Sequence, residues 1–383
     1  MSQAIIFGAG KWGSHAKIFY EDRCEIIGFT DNNERLWNTC KDGLPVMSPE
    51  ILCEKNKDLT VIIANYAHAE EIRKQVTECY GIQKIVNFRL EISETARFYP
   101  RTLPGLDTED ELIISFMGGL GNQMFQYAML KYLETAGKKA SADFSWYTVP
   151  GCQFHETMIW DVFPKLPLPY SHPDKVSEYR KSGNVYVESV SEHGNGELIR
   201  HVSECRKGIW EGYFQVASMI ASVSESLKKD FCFEVDEELE QKKKCLSEKI
   251  TVSVHIRRGD YLNQENDSLN VCGKEYYHTA MKMMEEKLGD FEWVFFSDDI
   301  NWVKEHFKSD HAIFIEASDF SRYENWYDMY LMSRCRHHII SNSSFSWWAA
   351  WMNEGMDKIV IAPKTWSKKC LFPDICPKDW IRI

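Results

Sequence analysis

No apolar run in the 383-residue sequence approaches the ~20 residues that span a bilayer, so no transmembrane segment is expected. There is no basic leader with a small-residue cleavage site either: Met1 to Gly13 is a short apolar stretch running into glycines. These two absences predict a cytoplasmic protein, free or peripheral at the inner membrane face. Positive charge is in short supply, and the net charge of -12 argues against bulk nucleic-acid binding, which needs a basic face to displace counterions. It argues equally against broad adhesion to anionic lipid. Twelve cysteines run from Cys24 to Cys376 without one CxxC pair, and the nearest two, Cys370 and Cys376, have no histidine partner in sequence. Zinc-ligand spacing is therefore missing, and the thiols read as small apolar core residues of a reducing compartment. Internal repeats and low-complexity segments are also absent.

What is present is material for cores. The chain is 44% hydrophobic and 27% charged, the composition of a soluble globular protein, and its length suits two or three domains. Ala4–Phe7, Glu25–Phe29 and Val61–Ala64 are short β-branched runs of the kind found in buried parallel strands, and Lys84–Phe88 closes the series. Helix-like stretches lie between them at Trp12–Glu21, Pro49–Lys55 and Ala69–Tyr80. The alternation predicts a small doubly wound α/β, Rossmann-like domain over residues 1–90. Residues 91–110, with Pro100, Pro104 and an acidic end, read as a linker.

A second α/β pattern starts at Leu112, with a helix over Asn122–Ala136 and a strand near Lys139–Asp143. Irregular proline-rich chain at Pro164–Pro173 precedes helices at Val216–Lys229 and Asp236–Lys249. From Thr251–Ile256 to Lys358–Ala362, strand and helix alternate without a break. This pattern predicts two Rossmann-like lobes, about 111–230 and 231–383.

Four motifs carry chemistry. Gly8, Gly10 and Gly13 form GxGxxG after a strand and before a helix, with Asp31 about 20 residues on. Such glycines let backbone approach a diphosphate at a helix start, so a nucleotide in this domain is one expectation. A Rossmann-like module with a tight turn and no ligand is the other. The second motif, Met117–Ala128 (MGGLGNQMFQYA), sets Asn122 and Gln123 in the first turn of a helix, where amides and backbone N–H groups can meet a phosphate or sugar.

The third is His255-Ile-Arg257-Arg258-Gly-Asp260-Tyr261 at the carboxyl end of a strand, where open α/β sheets place ligands. An arginine fork matches diphosphate oxygens and stabilises charge that builds on a leaving nucleoside diphosphate. His255 reads as a base or sugar contact, or as a satisfied core histidine. The fourth, Ser341–Trp351 (SNSSFSWWAAW), gathers Ser343, Ser344, Phe345 and Ser346 at a helix start. One serine suffices as a cap, and the remainder suggest a phosphate-gripping terminus. Trp347 and Trp351, four apart, read as core. Asp298 and Asp299 end another strand on the same edge, as a base or ribose contact or as an N-cap of the following helix. Phe154-His155-Glu156 has only its location on the presumed acceptor side to recommend it.

In their order and separations, GGLGNQMFQYA, HIRRGDY and SNSSFSWWAAW resemble the motifs of the α-1,2-fucosyltransferases of glycosyltransferase family 11. The resemblance runs from about Leu112 to Ile383. It implies a GT-B-like fold and inverting transfer of L-fucose from GDP-fucose to the 2-hydroxyl of a galactoside in a surface glycan, a lipid-linked glycan being one candidate acceptor. It also implies no required cofactor or divalent metal, in keeping with the lack of a DxD-type pair at the diphosphate position. Carried over, the diphosphate arginine falls on Arg257 or Arg258, the phosphate grip on Ser343–Ser346 and the nucleoside contact on Asp298. Asn122 and Gln123 would face the pyrophosphate or fucose. Asp260 is the candidate base by position, or a salt-bridge partner of the arginines. Two other readings stand beside this one. An NAD-dependent sugar-nucleotide-modifying enzyme would leave three motifs idle and lacks a Tyr-x-x-x-Lys pair after the first domain. A non-catalytic sugar-nucleotide sensor would have to keep Arg257, Arg258 and Asn122 for binding alone.

Overall fold

The computed structural model describes residues 3–21, 24–54, 59–65, 68–88, 111–148, 157–169, 171, 173–188, 201, 204–205, 207–262, 264–309, 311–370 and 372–383. The expected linker at 91–110 and the segment Phe154–Glu156 lie outside them. The chain divides into two compact units. One comprises Met1–Gly105 with Asp143–Glu156 and Pro169–Lys181; the other comprises Leu106–Ala142, Thr157–Leu168 and Ser182–Ile383.

The N-terminal unit is built on a six-stranded sheet. Its strands are β1 (Gln3–Phe7), β2 (Glu25–Thr30), β3 (Cys40–Lys41), β4 (Leu44–Met47), β5 (Thr60–Ile63) and β6 (Ile85–Asn87), in the order β3-β4-β2-β1-β5-β6. All pairs are parallel except the β3–β4 hairpin. Helices α1 (Lys11–Tyr20) and α2 (Ala69–Glu78) follow β1 and β5. Two apolar clusters form around alternate strand residues: Ala4 and Ile6 with Ala16 and Tyr20, and Ile5 and Phe7 with Ile72 and Val76. Alternation along β1 thus supplies a core to each face of the sheet. Sequence missed only the β3–β4 hairpin here, because its two strands are too short to show a period.

The second unit holds two parallel sheets. The first contains β7 (Leu112–Ser115), β8 (Ala140–Asp143), β9 (Val185–Val187) and β10 (Gly208–Glu211), in the order β8-β7-β10-β9. The second contains β11 (Thr251–Ile256), β12 (Glu292–Ser297), β13 (Ala312–Phe314), β14 (His337–Ile339), β15 (Val360–Ala362) and β16 (Ile381–Arg382), in the order β13-β12-β11-β14-β15-β16. This is the GT-B-like pair of Rossmann-like lobes. In each sheet the first strand in sequence lies inside; the order runs away from β11 on both sides, while β7 has β8 on one side and β10, then β9, on the other. The reversal leaves a topological switch point between β7 and β10, and another between β11 and β14, where such sheets take ligands.

Five helices of this unit bear on its site: α3 (Leu120–Thr135), α4 (Lys274–Lys287), α5 (Ile300–His306), α6 (Trp326–Arg334) and α7 (Ser344–Met352). Helix α3 starts directly after β7 and α7 directly after β14, so each begins at its sheet's carboxyl edge. The single helix expected over Val216–Lys229 is broken at Val223 into Ala217–Ser222 and Ser224–Asp230. Of the tryptophans in α7, Trp347 and Trp348 are wholly buried while Trp351 is half-buried. A helix enclosed on more than one side has no single apolar stripe, and the four-residue spacing therefore picked the wrong pair. Among the described residues no helix is long and apolar enough to cross a membrane.

Gly8 adopts φ +115, and a Cβ built on it would stand 2.7 Å from the Ala64 carbonyl oxygen. Both its conformation and the approach of β5 demand glycine. Gly8→Ala is expected to destabilise the N-terminal unit by about 2 kcal/mol or more, visible as an earlier calorimetric transition. An unchanged melting curve would contradict that close approach.

Candidate functional site

Strand β11 delivers side chains alternately to its two faces. Val252, Val254 and Ile256 enter the core formed by Tyr277, Ala280 and Met284 of α4 with Val303 and Phe307. Ser253 and His255 turn the other way, bonding His338 Nδ1 (2.8 Å) and Ser341 Oγ (3.0 Å) respectively. The two arginines beyond the strand continue this division. Arg257 acts electrostatically on His255. The Arg258 guanidinium lies over the Trp302 ring of α5, 3.6 Å from its centroid.

Each arginine has its own carboxylate. Arg257 Nη1 lies 3.0 Å from Asp298 Oδ2, and Arg258 Nε lies 3.0 Å from Asp299 Oδ2. The second oxygen of each acid takes a backbone N–H: Asp298 Oδ1 accepts from Arg258 N (2.8 Å), and Asp299 Oδ1 accepts from Trp302 N (3.3 Å) as the cap of α5. Gly259 completes the clasp, since a Cβ there would meet Asp298 Oδ2 at 2.7 Å. Sequence left Asp298 as a nucleoside contact and one of the pair as an N-cap. The cap is Asp299, and Asp298 holds the arginine loop. On its far face Trp302 stacks on His306 (4.2 Å, 21°), because two flat groups this close to one centroid would collide on a single face. Asp260 opens a short turn, Asp260–Leu262.

His255 is almost fully enclosed. Burial first, and the nearby Arg257 charge second, hold its imidazole down to about 3. A neutral ring hydrogen-bonded to Ser341 suits positioning and contact; as a general base it is poorly matched to neutral pH. Ser341 Oγ in turn lies 3.5 Å from Ser346 Oγ, which also meets Ser343 O at 3.3 Å. Ser343 caps α7 by accepting from Phe345 N (3.3 Å). Of the serines at this helix start, Ser341 and Ser346 are fully buried and Ser343 nearly so, whereas Ser344 and Phe345 are half-buried. Asn342 is structural, its amide donating to Leu269 O (2.8 Å) and Trp366 O (2.9 Å). At the far end of α7, Lys358 Nζ meets the carbonyls of Ala350, Trp351 and Asn353. A cation there complements the helix dipole.

The starts of α3 and α7 touch. A Cβ on Gly121 would lie 2.5 Å from Ser344 C and 2.6 Å from Phe345 N. Trp348 Nε1 donates to Gly121 O at 2.9 Å, and Phe125 packs on Trp347 and Trp348 with centroids 4.7 and 4.9 Å away. The GGLGNQ and SNSSFSWW motifs, far apart in sequence, therefore form one seam. Gln123, expected to face the donor, is instead wholly enclosed. Its Nε2 donates to Gly118 O and Thr157 O (both 3.2 Å), and its Oε1 accepts from Ile159 N (2.9 Å). Asn122 is half-buried and accepts from Gln215 Nε2 at 3.0 Å. Sequence missed Gln126, Glu188 and the Gly212–Gln215 turn; the only available signal was the paired amides of NQMFQ.

In the N-terminal unit, a Cβ on Gly13 would stand 2.1 Å from Gly8 O, and Gly10 precedes α1 without a side-chain cap. The loop is tight enough for a phosphate to approach backbone. Asp31, however, spends both oxygens on backbone, accepting from Ala9 N (2.8 Å) and Asn33 N (2.9 Å). That is a brace for the glycine loop, and it fits a ribose contact only in part.

Residues 202–383 match the profile described as glycosyl transferase family 11, and residues 1–86 match one described as C2185-like, N-terminal. An alpha-1,2-colitosyltransferase of Escherichia coli is 30% identical over 71% of this chain and 98% of its own length. The chain belongs to glycosyltransferase family 11. Two further relatives of this family 11 chain are the Escherichia coli O-antigen biosynthesis glycosyltransferase WbnK and a gorilla galactoside alpha-(1,2)-fucosyltransferase 2. The first is 29% identical over 70% of this chain and 98% of the relative. The second is 25% identical over 66% of this chain and 71% of the relative. All three alignments are too short to include the whole chain, and the family 11 profile begins well beyond the glycine loop at Gly8–Gly13.

The depressed His255 has a consequence for this glycosyltransferase. Above its ordinary 6.5 neither the folded nor the unfolded chain protonates the ring. As pH falls, the unfolded chain takes the proton first, so this group withdraws stability from about 6.5 down to about 3 and no further. Imidazole 15N shifts of His255 should stay those of a neutral ring to pH 5. A midpoint near 6.5 would contradict the enclosed geometry.

Proposed function

We propose that the second unit transfers L-fucose from GDP-fucose to the 2-hydroxyl of a galactoside, with inversion. The observation that carries this reading is the placement of Arg257. It follows β11 in the alternation that faces His255, acts on that ring and pairs with Asp298 beyond β12, whereas Arg258 lies on Trp302. Arg257 is thus the diphosphate contact, and Arg258 is the strut that fixes the loop. The acceptor oxygen attacks the anomeric carbon as the bond to the β-phosphate oxygen breaks, and GDP leaves with the electron pair. Arg257 and the N-terminal end of α7 stabilise the charge that appears on the leaving phosphate. The acceptor proton passes to a base, for which Asp260 is the candidate.

The galactoside fucosyltransferase among the relatives supports this donor and acceptor. The colitosyltransferase supports a second donor, in which colitose takes the place of fucose. Cytoplasmic action on a lipid-linked glycan belongs to the same proposal, and so does independence of a divalent metal. Asp298 and Asp299, at the end of β12 beside this loop, are engaged by arginines.

GDP release with a panel of β-galactosides tests the proposal. Turnover of GDP-fucose, or of GDP-colitose, should persist in excess EDTA; abolition by EDTA with recovery in Mn²⁺ would overturn the metal-free reading. No release from either donor would sink the donor assignment. Arg257→Ala should lower kcat by roughly 10²–10³-fold while leaving the melting temperature near that of the parent. Arg258→Ala should cost less turnover and more stability. The reverse ranking, or a near-normal Arg257→Ala, would remove Arg257 from the reaction.

A further inference from the structure

Strand β10 ends at Glu211, beside β7 at the switch point of the first sheet. The chain then turns sharply through Gly212–Gln215. Phe214 takes φ +51 with its side chain completely buried, a backbone state that is strained for a bulky residue. Three polar side chains hold the turn in place. Glu188 Oε2 accepts from both Tyr213 N (2.9 Å) and Phe214 N (3.0 Å). Gln126 Nε2 donates to Gly212 O (2.9 Å), and Gln215 Nε2 donates to Asn122 Oδ1 (3.0 Å). Gly212 must be glycine, since a Cβ there would meet Glu188 Oε2 at 2.7 Å.

What this support presents is Tyr213. It is 37% exposed, one of the few large hydrophobic side chains among the described residues left open to solvent. Its Cε1 comes within 3.4 Å of where a Gly118 side chain would begin, so the ring lies against the GGLGNQ turn next to Asn122. Stability alone would favour burying such a ring. Strain and a buried carboxylate are spent here on a turn that leaves this aromatic residue more than a third exposed, at the sheet edge where ligands bind.

We propose that Tyr213 is the stacking platform for the acceptor sugar. A galactopyranoside has one face of C–H groups that matches an aromatic ring, and hydroxyls at its rim that match the Asn122–Gln215 amide pair. The carboxylate of Glu188 beneath the turn disfavours an anionic diphosphate and accepts a neutral sugar. This assignment rests on the proposed transfer to a galactoside, and its test separates the two.

Lactose is varied at saturating GDP-fucose for the parent, Tyr213→Ala, Tyr213→Phe and Tyr213→Trp, with acceptor-free donor hydrolysis measured in parallel. Tyr213→Ala should raise the lactose KM tenfold or more and leave the GDP-fucose KM and hydrolysis within about twofold. The two aromatic variants should stay close to the parent, which also shows that the turn still folds. An unchanged lactose KM in Tyr213→Ala, or an equal loss on the donor side, overturns the platform. Saturation-transfer NMR of lactose with the same proteins reads binding without turnover, so a wrong donor does not obscure the result. Contact with the galactose ring protons should be strong in the parent and lost in Tyr213→Ala. Equal signal in both, or none in the parent, overturns the proposal.

Discussion

At Gly121 two helix starts come so close that backbone meets backbone. Ser344 and Phe345 occupy the space where any side chain at 121 would begin, and the Trp348 indole closes on the Gly121 carbonyl. Most of what the site does depends on this approach. Helix N-termini carry partial positive charge and spare N–H groups, so abutting two of them concentrates both at one place. The approach also explains the tryptophans: Trp347 and Trp348 fill the volume on either side of α7 against Phe125, and such burial is worth several kcal/mol per ring.

The carboxylates at the end of β12 tie the arginine loop down. Asp298 and Asp299 each divide their two oxygens between a guanidinium and a backbone N–H. An arginine held by one such contact and by stacking loses little freedom when an anion arrives, which is the sense in which a site is preorganised. Trp302 adds a geometric condition. A flat guanidinium can lie on the indole while keeping its Nε on Asp299; an ammonium could not do both, so lysine is no substitute at 258.

Much of this was legible beforehand. The β11 strand was bounded to the residue, since its β-branched run is long and ends at a charged pair. Ser343 as cap and the strand–helix alternation after Thr251 were equally clear, because the short strands there are set off by amphipathic helices between them. Nothing in FSDD reveals that a neighbouring strand ends in two arginines, so the Asp298–Arg257 pair was not legible. Gln123 and Gln126 carry one signal in sequence and two jobs in space, both of them bracing backbone. Strands β9 and β10 went unseen: three and four residues long, with Lys207 and Glu211 at the edges of the second, they offer no alternation to detect. Missing them hid Glu188 and the whole Tyr213 turn.

Helix α7 is pinned at its start by Gly121 and Ser343, along its side by Trp347 to Ile375 O, and at its end by Lys358. Such a helix neither slides nor admits inserted chain. Its register against α3 is therefore fixed by backbone contact. Insertions and deletions are therefore borne by surface loops away from α7 and its contacts. The two helix starts, once folded, behave as one block rather than as two ends that happen to meet.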